Sequence, residues 1–140
     1  MRLFAVVAAA IALAAPGVVR AQEAPAAGVA KLEAFLASLR GGQVAQGYAD
    51  LFAGTVMTKK QADLEQMIAL TESAVKYCGP VRDWQRMRTN QVTPAFYELV
   101  YMVRGENCPL FFRTFLYDNG AGWSVNLVFL SDSYATAKDW

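Results

Sequence analysis

The hydrophobic period of this chain changes at Gly79-Pro80, and that switch constrains the fold more than any other feature. Upstream, apolar residues recur at three- and four-residue steps; downstream, they alternate. A helix does not run through this pair, because Gly takes a left-handed cap and Pro cannot supply the amide of the next turn. The sequence therefore predicts helices first and strands second. That is an α+β plan, with N-terminal helices packed on one face of a curved four-stranded antiparallel meander.

Three helices are expected before the switch. From Gly28, Val29, Leu32, Leu36 and Leu39 trace one face with Phe35 beside them, and Gly41-Gly42 ends the run. A short second helix is expected over Val44 to Phe52, with Tyr48, Leu51 and Phe52 facing inward. The third opens at Thr58-Lys59-Lys60-Gln61, which reads as a capping box, the Thr hydroxyl accepting from the Gln61 amide. Leu64, Met67, Ile68, Thr71, Val75 and Cys78 form its inner face.

Four strands are expected after the switch: Val81 to Thr89, Ala95 to Arg104, Leu110 to Tyr117 and Trp123 to Leu130. Asn119-Gly120 is a strong hairpin signal. A two-residue turn there sets Leu116 opposite Trp123 and Phe112 opposite Leu127. A turn at Gly105-Glu106 sets Leu99 opposite Phe112 and Tyr101 opposite Leu110. Together they place Tyr97, Leu99, Tyr101, Val103, Leu110, Phe112, Leu116, Trp123, Val125, Leu127 and Phe129 on one inner face. The outer face collects Phe96, Val100, Met102, Phe111 and Phe115 around Glu98, which stands directly opposite Arg113. Arg82, Trp84, Arg86 and Arg88 alternate along one side of the first strand, an edge whose register the pattern does not fix.

The N-terminus reads as an export signal. Met1-Arg2 is followed by the 13 apolar residues Leu3 to Ala15, then Pro16-Gly17, with Val19-Arg20-Ala21 at the expected cleavage site. The run is short against the roughly 20 residues that span a bilayer, so cleavage after Ala21 is expected, leaving no membrane anchor. Removing 21 of the 140 residues leaves 119, enough for one domain. Residues 22–27 read as a leader, 28–132 as the domain and 133–140 as a partly ordered tail. Cleavage also removes Arg2 and Arg20, so 11 basic residues face 12 acidic ones. That balance offers nothing to nucleic acid or an anionic membrane. The expected location is periplasmic or secreted.

Two cysteines, Cys78 and Cys108, suit a disulfide in an exported chain. Strands on either side of a neighbour lie too far apart for a bridge, but both residues sit at corners from which they can lean together. Histidine is absent, which excludes ordinary zinc sites and Ser-His nucleophiles. No phosphate-cradling glycine loop occurs either, and no cofactor is expected.

Two stretches carry a resemblance. Phe35-Leu36, Leu39, Gly42, Tyr48 and Leu51 form the first; Gly79-Pro80-Val81, Tyr97, Tyr101, Pro109-Leu110, Phe115, Tyr117 and Gly122-Trp123-Ser124-Val125-Asn126 form the second. Over residues 29–132 they resemble small exported domains of the nuclear transport factor 2-like superfamily. The resemblance implies a cone whose curved sheet wraps the helices, an apolar pocket at its open end, and dimers through the outer sheet face.

The expected function is thus a non-enzymatic binding and association domain. Tyr97, Tyr101, Phe112 and Trp123 are the candidate lining of a cone holding a small apolar ligand. Phe96, Val100, Phe111 and Phe115 are the candidate interface, with a second copy or another protein. The rival is a pocket enzyme of the ketosteroid-isomerase type, which needs an inward carboxylate in an apolar setting. Asp83 is the one sheet carboxylate still able to supply it, and its placement beside Tyr97 or Tyr101 would favour catalysis.

Overall fold

A computed structural model describes residues 23–140. The export signal and cleavage site expected from the sequence lie outside the described residues. The element order is α1 (Ala26–Arg40), α2 (Val44–Leu51), a 3-10 turn (Val56–Lys59), α3 (Gln61–Cys78), β1 (Val81–Thr93), β2 (Phe96–Gly105), β3 (Pro109–Asp118), β4 (Trp123–Ser131) and α4 (Tyr134–Ala137). The strands form one antiparallel meander in the order β1-β2-β3-β4. The chain is therefore α+β, with α1, α2 and α3 on the inner face of an open four-stranded sheet.

Helix α1 starts inside the expected leader and crosses the sheet. Near its start Lys31 Nζ donates to the Trp123 carbonyl of β4 at 2.9 Å. At its end the Arg40 guanidinium lies 5.5 Å from the centre of the Trp84 ring of β1. Between these points Leu32, Phe35, Leu36 and Leu39 are buried. Helix α2 packs closely on α1 because Gly47 carries no side chain. A Cβ there would overlap Ser38 Oγ and come within 3.2 Å of Phe35 Cδ2.

The capping box expected at Thr58 does not form. Burial of Met57 draws Val56–Lys59 into a tight turn, whose N-terminal cap is the Thr55 hydroxyl. The Thr58 hydroxyl donates to the Thr55 carbonyl at 2.8 Å, and Gln61 Nε2 donates to the Thr58 carbonyl at 2.8 Å. Thr58 is consumed inside the turn, and Lys60 precedes α3. The helix ends where the sequence says, with Gly79 at φ 79°.

The sheet keeps its expected inner face in β2 and β3, although each cross-strand pair shifts by two residues. Tyr101 faces Phe112, Val103 faces Leu110 and Leu99 faces Thr114. An even shift preserves the faces. The shift arises because Glu106–Cys108 form the connection, tied down when Asn107 N–H donates to the Cys78 carbonyl at 2.7 Å. Cys78 and Cys108 are bridged, with Cα atoms 4.8 Å apart. Gly105 sits against the bridge, where a Cβ would come 2.8 Å from the Cys78 carbonyl and 2.7 Å from that of Cys108. Closing a loop of 30 residues stabilises the fold by about 3 to 4 kcal/mol in the chain-entropy account.

The β3–β4 hairpin departs further. The two-residue turn would need Asn119 at positive φ, and among the described residues no non-glycine residue adopts it. The connection instead uses four residues, with Gly120 at φ 88° and Gly122 at φ 136°. Asp118 then pairs with Trp123, and Leu116 with Val125. A bulge at Asn126 follows, because Phe115 pairs with Leu127. One extra residue inverts the remaining pattern. Val128 turns inward and is buried, whereas Phe129, expected inside, joins Phe115 on the outer face.

Bulges also decide the first strand. β1 runs four residues beyond its expected end, and its pairing shifts between Val81 and Asp83, Arg86 and Arg88, and Gln91 and Thr93. The second shift separates the arginines. Trp84 and Arg86 face Val103 and Tyr101 on the helix side, whereas Arg88 and Asn90 pair with Val100 and Glu98 on the outer side.

Candidate functional site

The four residues expected to line the cone lie in the packed interior. Tyr101 and Phe112 are cross-strand partners with almost no exposed surface. Phe112 meets Phe35 of α1 edge-on at 5.9 Å, and Tyr97 meets Trp123 edge-on at 5.5 Å. The Tyr101 hydroxyl is buried without a hydrogen-bond partner. Burial pushes its pKa up, against the charge of Arg86 and with that of Glu33. Asp83 does not join these tyrosines; it pairs with Arg104 across β1 and β2, with both side chains about half exposed.

The outer face is not the open apolar patch expected. Val100 and Phe111 are buried. Arg88 and Arg113 flank Val100 as its cross-strand partners, and the C-terminal segment folds back onto the face. Tyr134 of α4 lies 5.9 Å from the Phe111 ring, Ala137 is buried, and Arg88 donates to the Trp140 carbonyl. Phe96 and Phe115 remain half-buried and stack at 5.5 Å, with Phe129 and Tyr117 extending the aromatic strip into solvent.

Glu98 occupies the middle of this face. It pairs with Phe115 rather than Arg113, so the ion pair forms on the diagonal, with Arg113 Nε donating at 2.6 Å. Burial alone would raise the Glu98 carboxyl. Hydrogen bonds from Arg113 and Asn90, with the charges of Arg113 and Arg88, outweigh it and hold the pKa below the usual range.

The prominent concavity lies elsewhere, between α3 and β4. It is a half-open groove of about 580 Å³. One wall is a stripe of α3 that includes Met67, Leu70, Thr71 and Ala74 at helical spacing; the other is the consecutive run Leu127 to Asp132 of β4 and its end. Lys60, Asp63 and Asp132 bring charge to the lining. Tyr48 reaches from α2 to the same groove, and its hydroxyl hydrogen-bonds with Thr71 Oγ1 at 2.8 Å. Burial pushes the Tyr48 pKa up to about 12, the Thr71 bond opposing it, so the phenol is neutral at physiological pH.

The groove is therefore a mainly apolar trough with hydroxyls at one point. Its volume falls in the range of small-ligand sites, about 300 to 1,000 Å³. Among the described residues no three His, Cys, Asp or Glu side chains converge as a metal site would require. The sequence pattern marks Tyr48 and Thr71 only as core positions and does not single out Leu70. The available signal was a second stripe, Asp63, Gln66, Leu70 and Ala74, beside the core stripe of α3.

Among the described residues no helix is long and apolar enough to cross a membrane, and the disulfide suits an oxidising compartment. No family model, curated protein or solved structure matches this chain.

Proposed function

We propose that this chain is an exported binding domain on a nuclear transport factor 2-like cone, and that it holds an apolar guest in the α3–β4 groove. The observation that carries the reading is the mismatch between α3 and its surroundings. Met67 is only partly covered, and Leu70 is 59% exposed, although both line a concave surface. Apolar side chains left uncovered in a trough are stabilised by a guest that removes them from water. The site is displaced from the expected cone lining because Tyr97, Tyr101, Phe112 and Trp123 pack among themselves and the helices.

The test is a fluorescence titration with N-phenyl-1-naphthylamine, which brightens in apolar sites. Wild type is expected to show saturable enhancement, and Leu70→Lys to bind about fivefold more weakly or worse, from lost apolar contact. Leu70 is exposed enough for the variant to fold. A wild type without saturable binding ends the reading.

A second reading, self-association, is favoured by the aromatic strip Tyr117, Phe96, Phe115 and Phe129 on the outer face. It is narrower than the patch first expected, since Val100 and Phe111 are covered. Sedimentation should give a dimer that Phe115→Glu converts to a monomer; a wild type that stays monomeric at high concentration removes this reading.

A further inference from the structure

The two edges of the sheet are built differently. β1 is blunted: its ladder is interrupted at three places, and it carries Arg82, Arg86 and Arg88. Such devices stop a foreign strand from pairing with an edge. β4 lacks them where it matters. From Leu127 to Ser131 it pairs with Phe115 to Phe111 without a shift, and its sequence Leu-Val-Phe-Leu-Ser bears no charge.

That regular stretch is the wall of the groove. Leu127 to Asp132 all line it, although neighbouring side chains of a strand point to opposite faces. Consecutive residues share only their edge, so the groove runs along the free edge of β4. Among the described residues β4 pairs with β3 alone, which leaves every second residue pointing its N–H and C=O away from the sheet. Among the described residues, no hydrogen bond outside the sheet ladder reaches the main chain of Leu127 to Leu130. Facing this edge, α3 offers Met67, Leu70 and Ala74 on one stripe.

We propose that the groove takes an extended, apolar polypeptide segment of a partner protein, which joins the sheet as a fifth strand along β4. The proposal rests on the groove being a binding site and names its occupant. Five residues of strand span roughly 17 Å, matching the regular part of β4. The guest's main chain would satisfy the edge, and alternate side chains would lie against α3, the pattern of recognition by strand addition. An apolar small molecule covers Leu70 and Met67 but leaves those main-chain donors and acceptors without partners, which is costly once water is expelled.

The test uses a fluorescein-labelled, end-capped pentapeptide alternating valine and threonine, measured by anisotropy with the full protein. Two further peptides carry N-methyl groups on residues one, three and five, or on residues two and four. Strand addition predicts that one methylated form loses at least tenfold in affinity, two or more hydrogen bonds at about fivefold each being removed, while the other stays within about threefold of the parent. Leu70→Lys should weaken the parent peptide as it weakens the naphthylamine probe. If both methylated forms bind like the parent, or the probe binds and the peptide does not, strand addition is overturned and the apolar groove stands. If neither probe nor peptide binds, both fall.

Discussion

Helices α1 and α3 lie on the same side of the sheet, yet they do different jobs. Over its 15 residues α1 buries Leu32, Phe35, Leu36 and Leu39, and Gly28 with them. Over its 18 residues α3 buries only Thr71 and Cys78. The first helix is held along its length by apolar packing and by contacts to both edge strands. The second packs Leu64, Met67, Ile68, Ala74 and Val75 against the core only in part, and is pinned by the disulfide at its C-terminal end and the Tyr48–Thr71 hydrogen bond midway. A helix packed only in part leaves space beside it. α1 closes the core, and α3 stands off as the wall of a groove.

Equal truncations measure this difference. Leu36→Ala removes a fully buried side chain from α1 and should cost about 3 kcal/mol, within the 2 to 5 usual for such cavities. Leu70→Ala, on the groove side of α3, should cost about 0.5 kcal/mol or less, as surface changes do. Urea denaturation of the two variants beside wild type checks both values. Similar losses would mean that α3 is packed as tightly as α1, and the groove would lose its standing as an open surface.

The contrast between the helices was not legible in the sequence, and the reason is physical. Val29, Leu32, Leu36 and Leu39 follow the same spacing rule as Leu64, Met67, Ile68, Val75 and Cys78. Periodicity reports which face is apolar, not whether anything covers it. The helices, the Gly79-Pro80 switch, the four strands and the cysteine pair were readable because each is fixed by local chemistry. Register was readable only up to an even shift: Asn119-Gly120 advertises a tight turn, but the chain uses Gly120 and Gly122 instead. The single-residue bulges at Met87 and Asn126 have no sequence signal strong enough to place them, and they decide the faces of Arg88, Val128 and Phe129. The last residues read as a loose tail because eight residues carry little pattern; Tyr134 and Ala137 gain their roles only through Phe111 and the sheet.

The midway tether gives a smaller predicted effect than the Leu36 truncation, and the most specific one. Tyr48→Phe keeps the ring, which stacks on Phe52 at 5.9 Å, and removes only the hydroxyl that meets Thr71. At neutral pH the variant should lose about 1 kcal/mol, the usual net value of one such bond. The pH dependence separates that loss from a packing defect. In the unfolded chain a tyrosine ionises near 10, whereas in the fold Tyr48 is pushed up to about 12. A raised pKa means that the folded state holds its proton longer, so the contribution is intact below pH 10. It is lost as pH rises from 10 through 12. Wild type should therefore weaken over that alkaline window, and Tyr48→Phe should weaken less. Tyr101 also has a raised pKa and supplies a loss common to both proteins. With no histidine in the chain, stability between pH 6 and 8 should be nearly flat and gives a clean baseline. Denaturation midpoints of wild type and variant should thus draw together above pH 10 and cross before pH 12, because a pKa raised from near 10 to about 12 outweighs the single hydrogen bond. Parallel curves would show that Tyr48 titrates like an exposed phenol, and the hydroxyl pair would not be the tether that holds α3 beside the groove.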